Sequence, residues 1–243
     1  MSNIRLAGKV ALITGGSRGI GLAIAKTFAQ HGSSCTLIGR KEGSLREAIK
    51  QLASSEAQKH DILAFDVGHG HAWDSVDKSG NQVDLLVNAA GITHYSLLPR
   101  TPQHVMDEIV QVNLLGTIYG CKAISRKMLS NKQGGCIINI SSALAHRGGA
   151  GSSVYAATKA GLLGFSRALA EELGPRGIRC NAIAPGYIET DILADSLKSQ
   201  AAGKSSIGRI GTAAEVADAA LFLATNQFAN GMTLTLDGGL SYA

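Results

Sequence analysis

The chain has 243 residues, 45% of them hydrophobic and only 17% charged, which suits one large α/β domain and excludes a disordered or fibrous protein. At this length folding buries about 70–75% of the unfolded chain's surface, so a substantial core is available. The net charge of +5 comes from lysines and arginines spread along the chain, which points to an anionic cofactor or an acidic partner rather than to nucleic acid.

Short apolar runs alternate with helical periodicity from end to end, as repeated βαβ units around a parallel sheet do. The runs place strands near Val10–Thr14, Cys35–Ile38, Ile62–Phe65, Leu85–Asn88, Cys136–Ile140, Arg179–Ile183 and Thr233–Leu236. Helices are expected near Ile20–Gln30, Ser44–Ser54, His104–Leu129, Val154–Leu173 and Ala213–Ala224, with room for only a brief helix in the polar segment His69–Asn81. No linker divides the chain, so residues 1–243 read as a single Rossmann-type, doubly wound domain. The N-terminal apolar run leads straight into a glycine-rich loop and reads as the first strand, not a leader, and no apolar stretch reaches the roughly 20 residues of a membrane span. Cys35, Cys121, Cys136 and Cys180 lie far apart in apolar segments, without histidines at ligand spacing, and read as reduced core residues in a reducing compartment. No metal site is expected; His69 and His71 have no third ligand nearby and read as solvent-facing.

The first strand ends in Thr14-Gly15-Gly16-Ser17-Arg18-Gly19-Ile20-Gly21, and helical periodicity starts at once with Ile20, Ala23, Ile24 and Phe28. Amide groups at such a helix start attract a pyrophosphate, and the glycines allow it close. The second strand ends in Gly39-Arg40-Lys41, with no carboxylate to bind an adenosine ribose or to repel a 2′-phosphate. Arg18 and Arg40 each fit a plain surface charge, but together, at these two topological places, they favour NADP(H) over NAD. After the third strand, Asp66-Val67 offers an acceptor for adenine; after the fourth, Asn88-Ala89-Ala90-Gly91 lets backbone approach a ribose, although turn chemistry and strand capping account for either alone.

Ile137-Ile138-Asn139-Ile140-Ser141-Ser142 ends the fifth strand, and Tyr155 and Lys159 follow four residues apart, on one helix face. A carbonyl reductase must protonate oxygen as hydride reaches carbon, and a tyrosine with its ordinary pKa of about 10 needs that value lowered, which a nearby ammonium does. Ser142 can donate to the same oxygen, whereas Asn139 and Ser141 read as strand residues. As a bare pair, Tyr155 and Lys159 are an ordinary helix-surface spacing; the surrounding motifs change their meaning.

Together the glycine loop, Asn88-Ala89-Ala90-Gly91, the Ser142-to-Tyr155 spacing and the Tyr-x-x-x-Lys pair resemble the short-chain dehydrogenase/reductases over essentially the whole chain. The resemblance implies Tyr155 as general acid, Lys159 on the nicotinamide ribose, Ser142 positioning substrate, and Asn113 holding a proton-relay water, although a structural asparagine inside a helix also fits Asn113. It implies that Pro185-Gly186-Tyr187-Ile188-Glu189-Thr190 covers the nicotinamide, with Ile188 and Thr190 on its carboxamide side. It implies a substrate lid over about 189–207, its Leu193–Ser206 stretch also readable as a surface helix. Gly161–Ala170, Arg179–Gly186, Ile207–Gly211 and Leu236–Gly239 most resemble 3-oxoacyl-[acyl-carrier-protein] reductases, though sugar, steroid and polyol dehydrogenases share these motifs. The expected function is NADPH-dependent reduction of 3-oxoacyl thioesters on an acidic carrier protein in fatty-acid synthesis, in the cytoplasm or the mitochondrial matrix. Arg176 matches one docking arginine of those reductases; where the other is expected the chain has Lys132-Gln133, with Arg126 and Lys127 nearby. The alternatives are a general ketone, quinone or steroid reductase and a non-catalytic NADP-binding partner subunit. The resemblance also implies a homotetramer, or a heterotetramer with a homologous subunit, that buries Leu240–Ala243 at an interface.

Overall fold

All seven expected strands form and pair in parallel in a computed structural model that describes residues 5–78, 82–190 and 202–242. They are β1 (Val10–Thr14), β2 (Ser34–Gly39), β3 (Asp61–Ala64), β4 (Leu85–Asn88), β5 (Gly135–Ile140), β6 (Ile178–Pro185) and β7 (Thr233–Leu236). Their spatial order, β3-β2-β1-β4-β5-β6-β7, is the one expected of a doubly wound fold, and it reverses between β1 and β4. Such a switch point opens a crevice at the carboxyl ends of the strands. Thr14 pairs with Ile38 on one side and Asn88 on the other, so the last residues of β1 and β4 come level at that crevice.

Successive strand residues point to opposite faces, and both faces are covered. Against one lie helices α1 (Gly19–Gln30), α2 (Glu42–Ile49) and α8 (Ala213–Thr225), which pack Ile24, Phe28, Leu45 and Val216 onto Ile13, Leu37 and Ile138. Against the other lie α5 (Gly116–Asn131) and α7 (Ser153–Leu173), with Ile124, Met128 and Leu169 on Leu12, Leu86 and Ile137. A one-turn 3-10 segment and α3 (Asp74–Lys78) fill the place reserved for a brief helix. Among the described residues no helix is long and apolar enough to cross a membrane, and no group of three potential ligands is placed to hold a metal. All four cysteines are buried and unbridged; burial pushes the Cys35 and Cys121 thiols up to about 12 and Cys136 to about 11, so they are poor nucleophiles.

Two helices differ from expectation. The helix expected over Ser44–Ser54 stops at Ile49, because Gln51 and Leu52 close tight turns onto Ala48 and Ile49, which folds Leu52 back into the core. The single helix expected over His104–Leu129 is α4 (Gln103–Val110), a π turn over Gln111–Leu115, and then α5. The wider turn is where Gln111 and Asn113 leave the helix to bond two different loops, as described below. The loop before Tyr155 also contains a short helix, α6 (Leu144–Arg147), that its glycines had hidden.

One buried charge has a structural duty. Arg179 on β6 gives Nη1 to Leu223 O and Ala229 O and Nη2 to Ala224 O, which caps the carbonyl end of α8 from inside the protein.

Candidate active site

The crevice at the switch point is a cleft of about 900 Å³, counting its open mouth. Its lining includes Gly15, Ser17, Arg18, Gly19, Ile20, Gly21, Arg40, Asp66, Val67, Ala89, Gly91 and Thr190, twelve of the positions expected to hold a dinucleotide. Gly39, Phe65, Ala90, Ile92 and Val112 complete it. Gly39 and Ala90 belong to motifs already noted, whereas Phe65, Ile92 and Val112 were not singled out, since apolar residues beside a loop carry no signal of their own.

The glycine loop fits an anion. Gly15 and Gly19 take positive φ angles of 66° and 56°, open to glycine at little cost. A Cβ on Gly15 would lie 2.9 Å from the backbone of Ala89, and one on Gly21 would collide with Gly15 O, so the loop packs too closely for any side chain. Arg18 stands as the extended N-cap of α1 without a side-chain capping bond, and the first turn carries no acidic residue. The helix thus keeps amide donors and a positive end for a phosphate. Arg40 lines the same cleft after β2, and the next carboxylate along, Glu42, is held by Arg46 at 2.5–2.9 Å.

Two loops wall the cleft, and the π turn holds both. Gln111 Nε2 donates to Gly68 O in the loop after β3, where Gly68 N donates to Asp66 Oδ1 at 2.9 Å. Asn113 accepts from Ile92 N at 2.8 Å and donates to Ile92 O at 2.9 Å, fastening the loop after β4. Thr14 Oγ1 accepts from Ala89 N and Ala90 N, both at 3.1 Å, and fixes that loop from below. The Asn113 amide is therefore committed to backbone, which supports the structural alternative for its side chain. Asn88 does not line the cleft: buried at the end of β4, it donates to Asn139 Oδ1 at 2.9 Å.

Ser142, Tyr155 and Lys159 gather beside the Gly91 end of the cleft without forming its wall: a Cβ on Gly91 would lie 3.5 Å from Lys159 Nζ. The strand pairing runs on past β5 through Ser141 N to Ile183 O and Ala143 N to Pro185 O, both 2.7 Å, so Ser142 stands at the carboxyl edge of the sheet. Its Oγ accepts from Leu144 N at 3.2 Å, and its hydroxyl is near enough to the Tyr155 phenol to pull that group's pKa down. Lys159 Nζ donates to Ile140 O at 2.8 Å and lies 5.7 Å from the centre of the Tyr155 ring. Ser141 donates back to Lys159 O at 2.7 Å, and Asn139 Nδ2 donates to Ser166 at 2.9 Å. The two residues read as plain strand positions thus tie β5 to α7, a role only their contacts reveal.

The electrostatics correct one expectation. In the chain by itself the Tyr155 phenol is not lowered: burial raises it above its ordinary value, and the Ser142 hydrogen bond opposes this only in part. Burial lowers Lys159 to about 8. The tyrosine is therefore firmly protonated at neutral pH, as a proton donor must be, beside an ammonium that loses its charge early.

Of the segment expected to cover the nicotinamide, Thr190 reaches the glycine loop, 3.4 Å from a Cβ built on Gly19. Pro185 and Gly186 end β6, where Gly186 N donates to Leu236 O at 3.0 Å, and Ile188 is buried in a short ladder with Gly211; these three stand beside the cleft rather than in its wall. Most of the expected lid, residues 191–201, lies outside the described residues. Ser205 Oγ, just beyond, donates to Gly238 O at 2.9 Å. Leu240 is buried within its own chain, and Ala243 is outside the described residues. Arg176 and the Lys132-Gln133 pair stand exposed before the first residues of β6 and β5, at the sheet edge opposite Ser142.

The sequence pattern of the short chain dehydrogenase family matches residues 9–201. The chain is 41% identical to a Chlamydia muridarum protein named 3-oxoacyl-[acyl-carrier-protein] reductase FabG, across 98% of this chain and 100% of that one. It is 42% identical to carbonyl reductase family member 4 of Danio rerio, across 96% and 98%. Among solved structures, a 3-oxoacyl-[acyl-carrier protein] reductase from Brucella melitensis matches with a TM-score of 0.93 at 31% identity, covering 100% of this chain and 94% of that one. A reductase from Brucella melitensis with bound NAD matches at 0.92, with the same identity and coverage. Fold, cleft and likeness define the class as an oxidoreductase that uses a nicotinamide dinucleotide. The chain belongs to the short-chain dehydrogenase family.

Proposed function

We propose that the protein reduces 3-oxoacyl thioesters, carried on acyl carrier protein, to 3-hydroxyacyl thioesters with NADPH, as a step of fatty-acid synthesis. The observation that carries the reduction chemistry is the gathering of Ser142, Tyr155 and Lys159 beside the Gly91 end of the dinucleotide cleft. The bound cofactor supplies hydride. Ser142 orients the carbonyl oxygen, Tyr155 gives it a proton, and Lys159 stabilises the phenolate that remains while its ammonium holds the nicotinamide ribose. Asn113 keeps the Gly91–Ile92 loop in place beside Lys159, and because its main-chain carbonyl already accepts from Thr117 Oγ1 at 3.1 Å, a relay water there would share that oxygen. Pro185, Gly186, Ile188 and Thr190 cover the nicotinamide, and residues of about 189–207 close over it as a lid.

The adenosine half lies along Asp66 and Val67, and the loop of Ala89 and Gly91, with Asn88 buried behind it, brings backbone up to a ribose. Asp66 has one oxygen engaged by Gly68 N, so Oδ2 serves the adenine amino group. The preference for NADPH is read from Arg18 and Arg40, both on the cleft and both suited to a 2′-phosphate. Arg40→Ala is therefore expected to weaken NADPH by about tenfold or more, the loss of one charge-assisted phosphate contact, and NADH far less. Equal weakening of the two, or of neither, measured by fluorescence titration, would remove the NADP reading.

The thioester is inferred from the names of the relatives. The Danio rerio relative favours a second reading, a general carbonyl reductase of ketones or quinones. Following NADPH consumption with acetoacetyl thioesters of carrier protein and of CoA, small diketones, quinones and steroids separates them. Thioesters are expected to react best; good turnover of other ketones without thioester activity overturns the first reading. Tight NADPH binding without turnover of any carbonyl identifies a non-catalytic subunit. A tetramer, homomeric or with a homologous partner, suits a carrier reading: Arg176 lies on the sheet edge away from its own Ser142, so a carrier held there would serve another protomer. The cytoplasm or the mitochondrial matrix suits the buried thiols.

A further inference from the structure

We propose that Glu108 is a specificity-determining residue that holds down the affinity for 2′-phosphorylated nucleotides. This rests on reading Arg40 as the receiver of the 2′-phosphate. Arg40 Nη1 lies 3.9 Å from Glu108 Oε1, a carboxylate presented by α4 to the guanidinium on the adenosine side of the cleft. A rigid element holds it there. Gln111, one turn further along, is bonded to Gly68 O, and Asn113 clamps Ile92, so the helix cannot roll away without breaking both loops of the cleft. Glu42, the acidic residue nearest to Arg40 in sequence, is drawn along α2 by Arg46 instead.

A doubly charged phosphate on Arg40 must either share the guanidinium with Glu108 or displace it. In both arrangements a carboxylate stays within several ångströms of the phosphate. The side chains are about 60% and 54% exposed, so water and salt screen the repulsion to a penalty of about three- to tenfold in affinity, not an exclusion. NADH, with a hydroxyl at that position, escapes nearly all of it. Glu108 therefore sets the ratio of the two affinities from outside the glycine loop, on an element that no dinucleotide motif covers.

Dissociation constants of NADPH and NADH, titrated by fluorescence at low and high salt for the parent, Glu108→Gln, Glu108→Lys and Arg40→Ala, test this. Glu108 is exposed, so its variants are expected to fold, and circular dichroism checks that. Glu108→Gln is expected to bind NADPH about three- to tenfold more tightly, with NADH changed by about twofold at most and the gain shrinking at high salt; Glu108→Lys is expected to gain more. If Glu108→Gln binds NADPH no better while Arg40→Ala still loses it selectively, the proposal is overturned and the Arg40 reading survives. Weaker NADPH binding by Glu108→Gln means that the carboxylate pre-orients Arg40, which also overturns it. If Arg40→Ala leaves the NADPH-to-NADH ratio unchanged, the underlying reading has failed, and this inference fails with it.

Discussion

Tyr155→Phe is expected to lower kcat for carbonyl reduction by about 10²–10⁴-fold while NADPH binding persists. The substitution removes only the phenol oxygen, and with it the proton donor, whose contribution in general acid catalysis is of that size. The ring stays near Lys159, so the fold and the cofactor cleft are expected to persist. The phenol is the right group to lose because burial keeps it protonated through the neutral range, so it delivers its proton only when charge develops on the substrate oxygen. Single-turnover loss of NADPH absorbance in the presence of a good carbonyl substrate reads the effect directly. A variant that still turns over within about tenfold of the parent would show that the proton comes from elsewhere.

Lys159→Met is expected to gain stability and lose activity together. Burial lowers the Lys159 ammonium from the ordinary value of 10.5 to about 8, and among the described residues no carboxylate pairs with it. The sign of the linkage follows. Between about pH 8 and 10.5 the unfolded chain holds a proton on this lysine that the folded chain has shed, so stability rises with pH across that window. Below about pH 8 the folded chain carries the full penalty of a buried charge, on the order of 3 kcal/mol. Methionine of similar length removes the penalty and forfeits the bond to Ile140 O, leaving a gain of about 1–3 kcal/mol at neutral pH in the cofactor-free protein. Catalysis loses the cation that stabilises the phenolate, at a cost of about 10²–10³-fold in kcat. In the parent, kcat/KM for the cofactor reports the free protein's ionisations and is expected to fall as pH rises through about 8. Denaturant melts of parent and variant at neutral pH and at pH 10 check the stability half. A variant less stable than the parent at neutral pH, or a pH dependence that survives the substitution, would contradict it.

These two residues show how far sequence carries. Tyr155 and Lys159 were legible as a pair from helical spacing, and Ser142 from its place at the end of an apolar strand, because such features are local. The same holds for the seven strands and for the glycine loop, where strand, turn and helix start follow one another within a dozen residues. The π turn was not legible: α4 and α5 continue one apolar periodicity, and the reason for the extra residue lies in Gly68 and Ile92, 43 and 21 positions away in sequence. Asn139 and Ser141 looked like strand filler for the same reason, since their partners sit on α7.

By itself the sequence determined the kind of fold, the register of the dinucleotide loop and the identity of the three groups gathered beside the cleft. Those depend on periodicity, turn chemistry and residue type, which act between near neighbours. Only the tertiary structure decided how those groups are charged. The direction of the Tyr155 and Lys159 shifts is set by what is excluded around them: burial raises the phenol and lowers the ammonium, whereas spacing alone suggested a simple mutual stabilisation. It also decided that Glu108 meets Arg40 at 3.9 Å, a contact between residues 68 positions apart that only packing can arrange.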